Sequence, residues 1–133
     1  MRGSVWRLVL LSALVCAGCG QKEKSTSELL TDLKGASDHE RVNAARTLPG
    51  RTGDAAQVVP ALIEALKDKE AEVRRSAALG LGSFGEQAKD AVPALQTLLT
   101  DRDARVRESA GLALTRIDPA RFPPPPKGAG AKK

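Results

Sequence analysis

The sequence predicts an all-α protein, an α-solenoid of about three stacked helix pairs. Three observations carry this. The chain matches itself at a shift of 33 residues, and within each repeat the apolar residues fall three and four positions apart. Those apolar residues are mostly Ala, Leu and Val; only Trp6, Phe84 and Phe122 are aromatic, and Tyr is absent from the 133 residues. A core of this kind is built from thin helices packed closely together.

The repeat is clearest between "VPALIEALKDKEAEVRRSAALGLGSFG" (59–85) and "VPALQTLLTDRDARVRESAGLALTRID" (92–118), with 13 identities in 27 ungapped positions. A weaker copy precedes them: Leu29, Leu33, Lys34, Arg41, Ala44, Ala45 and Leu48 match Leu62, Leu66, Lys67, Arg74, Ala77, Ala78 and Leu81. Three units result, about 27–53, 54–86 and 87–118. A period of this length marks one supersecondary unit that must stack on its neighbours to bury its apolar stripe.

In each unit the first helix carries its apolar face at positions such as Val59, Leu62 and Leu66. Pro60 is expected in its opening turn, where a missing N–H costs nothing. A turn over Lys67–Glu70 leads to a second helix with Val73, Ala77, Gly80 or Leu81, and Phe84 on one side, and Gly82 with Gly85 marks its end. Small residues at facing positions allow close approach. Ser25-x-x-Glu28, ahead of Leu29, fits a capping box for the first helix of the first unit.

The pattern V-P-A-L-x-x-x-L-x-D-x-x-x-x-V-R-x-S-A-x-x-x-L resembles the HEAT repeat, particularly the short type of phycobilin lyases and many bacterial repeat proteins. The ankyrin T-P-L-H turn is absent. The resemblance implies a right-handed superhelix over residues 27–118. It also implies a structural role for Asp68, Arg74, Asp101 and Arg107, which in such families link the turn of a unit to its own or a neighbouring second helix. The first unit keeps Arg41 but has Gly35 at the aspartate position, with Asp38 nearby as a substitute of different geometry. The positions that match build the stack, so they speak for fold rather than function.

The net charge of +5 lies mostly outside the repeats. Residues 20–118 hold 15 basic and 16 acidic residues, close to neutral. Arg102, Arg105, Arg107 and Arg116 are interleaved with Asp101, Asp103 and Glu108, and no aromatics are available to stack on bases, which disfavours nucleic acid as a partner. His39 is the only histidine, flanked by Asp38 and Glu40 with no nucleophile placed by motif, and reads as a solvent-facing helix residue. Asp68, Glu70, Asp101 and Asp103 lack the glycine and terminal glutamate of a calcium loop and suit a solvated turn before a helix. No metal, cofactor or catalytic residue is expected.

Both ends read differently from the middle. Arg2 and Arg7 precede the apolar stretch "LVLLSALVCAG" (8–18), a signal-peptide pattern. Eleven residues extend about 16 Å as a helix, short of the roughly 30 Å of a bilayer core. Cys16 and Cys19 form a C-x-x-C, but no βαβ pattern follows for a redox pair, and one histidine leaves zinc without four strong ligands. "VCAGC" instead resembles the lipobox of bacterial lipoproteins, with Cys16 where leucine is usual. This resemblance implies a lipid on Cys19, loss of residues 1–18 and a place in the bacterial cell envelope; plain secretion is the alternative. Residues 19–26 would be a flexible tether, and 119–133, "PARFPPPPKGAGAKK", a disordered basic tail able to touch an anionic surface.

These readings converge on a non-catalytic, lipid-anchored scaffold that binds a protein partner through a helical surface. The resemblance to phycobilin lyases implies an alternative, an accessory of an enzyme or chromophore-attachment system. The outer face of the last unit has no distinct cap helix, and is left exposed, covered by the tail or used for self-association.

Overall fold

The computed structural model describes residues 23–125. Six α-helices follow in order: α1 Thr26–Asp32, α2 Asp38–Thr47, α3 Ala55–Ala65, α4 Ala71–Phe84, α5 Val92–Leu98 and α6 Ala104–Ile117. They form three pairs, α1/α2, α3/α4 and α5/α6. The second helices touch in sequence, α2 on α4 and α4 on α6, the last being the most extensive interface. Among the described residues the architecture is an all-helical solenoid.

One continuous core runs through the stack. Leu48, Val58, Leu62, Val73, Leu81, Leu95, Val106, Leu114 and Ile117 are fully buried. Leu62/Leu95 and Leu81/Leu114 are repeat equivalents, so the same positions bury themselves in successive pairs. Burial of each such side chain is worth about 2 kcal/mol against exposure.

The helix ends follow local chemistry. Ser25 caps α1 in a reciprocal box: Glu28 N–H donates to Ser25 Oγ (3.3 Å) and Ser25 N–H to Glu28 Oε2 (2.7 Å). Asp103 Oδ1 accepts from Arg105 N–H (2.8 Å) and Val106 N–H (3.3 Å) at the start of α6. Gly85 ends α4 at φ +54°, a conformation that favours glycine.

Four details depart from the sequence reading. Pro60 lies inside α3, because that helix begins earlier, at Ala55. The hydrogen bond it forfeits would have ended on Ala56, which is exposed and can be hydrated. Pro93 does sit in the first turn of α5, after a 3-10 segment, Gly85–Ala91, that replaces the first turns of α3. Gly82 does not end α4; it lies within it, facing α6, where an added Cβ would stand 3.0 Å from Ala113 Cα.

The other two concern boundaries. The expected tether runs into the fold, since Lys24 Nζ bonds Asp32 (2.6 Å), Arg51 Nη2 donates to the Lys24 carbonyl (3.0 Å) and α1 starts at Thr26. The ordered chain also continues past Asp118: Phe122 N–H donates to the Asp118 carbonyl (2.9 Å), and the Phe122 ring packs on the core beneath Arg121. The signal segment, Cys16 and Cys19 lie outside the described residues, as do residues 126–133 of the tail.

Candidate functional site

The turn between the helices of each pair is where charged residues become organised. Asp68 and Asp101 each accept the amide two residues on, from Glu70 and Asp103 (both 2.9 Å), which closes the turn and aims the carboxylate along the stack. The arginine of the preceding pair meets it there. Arg41 Nε donates to Asp68 Oδ2 (2.8 Å) and Nη2 to Oδ1 (3.3 Å). Arg74 Nε and Nη2 donate to Asp101 Oδ2 and Oδ1 (2.8 and 2.9 Å).

Each pairing therefore crosses from one unit to the next. Within a unit the contact is different: Arg74 Nη1 donates to the carbonyls of Asp68 and Lys69 (2.8 and 3.0 Å), not to the Asp68 carboxylate. Asp38 fills in beside Gly35, bonding Arg41 Nη2 in addition to Asp68. Arg107 has the in-unit carbonyl contacts, to Asp101 and Arg102 (2.8 and 3.3 Å), and no carboxylate partner among the described residues.

Such fork-to-fork pairs are nearly dry. The side chains of Arg74 and Asp101 are 7% and 9% exposed. The Arg74 guanidinium hydrogen bond, aided by the Asp103 amide, holds the Asp101 carboxyl below the usual carboxylate range, and Arg74 is correspondingly raised.

A groove opens along the second helices, lined by Arg46 of α2, Arg75, Leu79 and Ser83 of α4, and Arg116 of α6. Its floor depends on Gly80, where a Cβ would lie 2.6 Å from Pro49 Cγ, so the 3-10 turn after α2 packs directly against the α4 backbone. Glu72 draws in two of the arginines, accepting from Arg46 Nη2 and from Arg75 Nη1 (3.0 Å). The hydrogen bond from Arg46, aided by the charge of Arg75, holds the Glu72 carboxyl below the usual carboxylate range. Arg116 has no ion-pair partner among the described residues. Three arginines against one glutamate leave the groove cationic, and Leu112 of α6, the repeat equivalent of Leu79 and one turn before Arg116, is 46% exposed. Sequence reasoning missed this groove: Arg46 and Arg75 carry no motif, and only the helical phase relative to the buried positions puts them on one face.

His39 is exposed on α2, its Nδ1 3.2 Å from Asn43 Nδ2. Among the described residues no three His, Cys, Asp or Glu side chains are grouped to hold a metal, and Asp68 and Asp101 face guanidinium groups instead. No described helix is long and apolar enough to cross a membrane.

Repeating helix pairs tied by inter-unit Arg–Asp bonds define an α-solenoid. The HEAT repeats family pattern matches residues 26–115, and the chain belongs to that family. Among solved structures it is similar to the complex of CpcE and CpcF of phycocyanin lyase from Nostoc sp. PCC7120, at 28% identity and a TM-score of 0.68 over 76% of this chain and 40% of that one. It is also similar to the crystal structure of an engineered protein, at 26% identity and a TM-score of 0.61 over 71% of this chain and 45% of that one. The chain thus spans less than half the length of either. No curated protein matches the sequence.

Proposed function

We propose that the protein is a non-catalytic scaffold that binds a partner protein along the groove of its second helices, held at a bacterial membrane by lipid on Cys19. The observation that carries the binding reading is the cationic groove of Arg46, Arg75 and Arg116 on a rigid stack. Its walls are helices whose positions are pinned by the Arg–Asp bonds, so little ordering is needed on association. Arginines beside Leu79 and Leu112 suit a partner segment that is acidic with an apolar residue or two.

The anchoring part rests on the sequence around Cys19. Replacing Cys19→Ala in the full-length chain is expected to move the protein from the membrane to the soluble fraction; unchanged fractionation disproves anchoring. For the groove, Arg75→Glu with Arg116→Glu is expected to abolish recovery of the partner in a native pull-down that the unaltered chain supports. Retention of the partner by the double variant would place binding elsewhere.

A second reading, an accessory of a chromophore-attachment system, is favoured by the similarity to the phycocyanin lyase complex. Mass spectrometry of the natively purified complex separates the two. A bilin-type chromophore retained with the chain supports the second, whereas a protein partner without it supports the first.

A further inference from the structure

The three second helices carry an arginine at the same place, and all three are anchored alike. Nη1 donates to the carbonyls six and five residues earlier: Gly35 and Ala36 for Arg41 (3.1 and 3.2 Å), Asp68 and Lys69 for Arg74 (2.8 and 3.0 Å), Asp101 and Arg102 for Arg107 (2.8 and 3.3 Å). In the first two the other edge of the guanidinium, Nε and Nη2, holds the aspartate of the following pair. In Arg107 that edge meets no carboxylate among the described residues, and the side chain is exposed.

Its surroundings are those of an internal unit with the neighbour removed. Leu99 is 41% exposed, whereas its repeat equivalent Leu66 is 3% exposed. Gly111 follows Arg107 by one turn, as Ala78 follows Arg74, and an added Cβ there would meet only Leu99 Cδ2, at 3.9 Å. A preset guanidinium fork, an apolar side chain and a small residue thus share one face.

Neither the following sequence nor a second copy offers the matching surface. One period further on, Pro125, Gly128 and Lys132 stand where Val59, Leu62 and Leu66 build a first helix. The first pair of another copy has Gly35 at the aspartate position, and its Asp38 is engaged by Arg41. Symmetric pairing of two last units would bring two Arg107 side chains together.

We propose that the face formed by Leu99, Arg107 and Gly111 docks a separate protein chain that continues the stack, a helix pair of the same kind whose inter-helix turn presents an aspartate to Arg107. The recognition is the charge-assisted, two-bond contact already used twice within the chain. Because Nη1 is held by the turn carbonyls, the fork is oriented before the partner arrives. This face is distinct from the groove of the second helices, so a groove variant such as Arg116→Glu is expected to leave it intact.

The test uses the full chain and, as probe, a labelled synthetic peptide of residues 87–118, which carries the aspartate that Arg74 recognises. Saturable binding is expected, weakened about tenfold or more by Arg107→Gln in the chain or by Asp101→Asn in the peptide, with no further loss when both are present. As a second measurement independent of peptide folding, residues 86–118 are duplicated directly after Asp118. Melting is expected at higher temperature than for the unextended chain, and the gain is expected to vanish with Arg107→Gln. Absence of both binding and thermal gain, or either effect persisting unchanged in Arg107→Gln, overturns the proposal. Sedimentation showing dimers of the unextended chain that dissociate on Arg107→Gln overturns it too, by assigning the face to a second copy.

Discussion

Arg74 grips Asp101 through both edges of the contact, Nε to Oδ2 at 2.8 Å and Nη2 to Oδ1 at 2.9 Å, across the boundary between consecutive helix pairs. The two residues are 27 positions apart. Their pairing fixes the spacing of α4 and α6 at the turn end, while Gly82 against Ala113 sets it farther along.

Arg74→Gln is expected to destabilise the fold by about 2–3 kcal/mol, because the Asp101 carboxylate is left nearly buried with one amide donor. For a domain of this size that is a fall in melting temperature of roughly 10–20 °C. Arg107→Gln, at an exposed site, is expected to cost less than about 1 kcal/mol. Paired thermal melts by circular dichroism check the contrast; equal losses would show that the inter-unit bond contributes nothing special.

Acid stability follows from the same contact. Asp101 has a carboxyl held below 3.8, its ordinary value, by Arg74. The unfolded chain therefore takes up a proton first as pH falls, so the stabilisation is full above the ordinary value and is lost as pH drops through the folded one. Urea midpoints between pH 2 and 6 are expected to fall less steeply for Asp101→Asn than for the unaltered chain. Glu72 and Asp103 are lowered as well, by Arg46 and by the Arg105 amide, so some acid dependence remains in the variant.

Glycines on the second helices should respond oppositely to alanine. Gly111→Ala meets only Leu99 Cδ2 at 3.9 Å, so helix propensity dominates and a gain of about 0.5–1 kcal/mol is expected. Gly80→Ala drives a methyl to 2.6 Å from Pro49 Cγ and 3.2 Å from Leu62 Cδ1, and a loss of about 1–3 kcal/mol is expected. Chemical denaturation of the two variants side by side reads the signs directly.

Leucines at the interior and at the end face provide a further comparison. Leu81→Ala removes a fully buried side chain between pairs and is expected to cost about 2–5 kcal/mol. Leu99→Ala, at a site 41% exposed, is expected to cost less than about 1 kcal/mol. Similar losses in equilibrium unfolding would mean that the last pair is covered in solution.

Much of the fold was legible because a repeat states its packing rule more than once. Leu62/Leu95 and Leu81/Leu114 reveal the core positions by recurrence alone, and Ser25 with Glu28 reveals the first cap by local spacing. Pro60 and Gly82 misled for a shared reason. Their usual places, a first turn and a helix end, are set by backbone preference, whereas here α3 gained an earlier turn and α4 needed a residue without a side chain against Ala113. Phe122 reads as tail in the sequence because its partners come from the assembled core rather than from neighbouring residues.

Periodicity and residue size, both local properties, were enough to specify helix pairs, their buried stripes and the need to stack. Which carboxylate meets which guanidinium was decided only when the pairs assembled, because Arg41–Asp68 and Arg74–Asp101 bridge units that are neighbours in space. The cationic groove and the open face at Arg107 have the same origin: each depends on how successive helices are phased against one another, which no single repeat encodes.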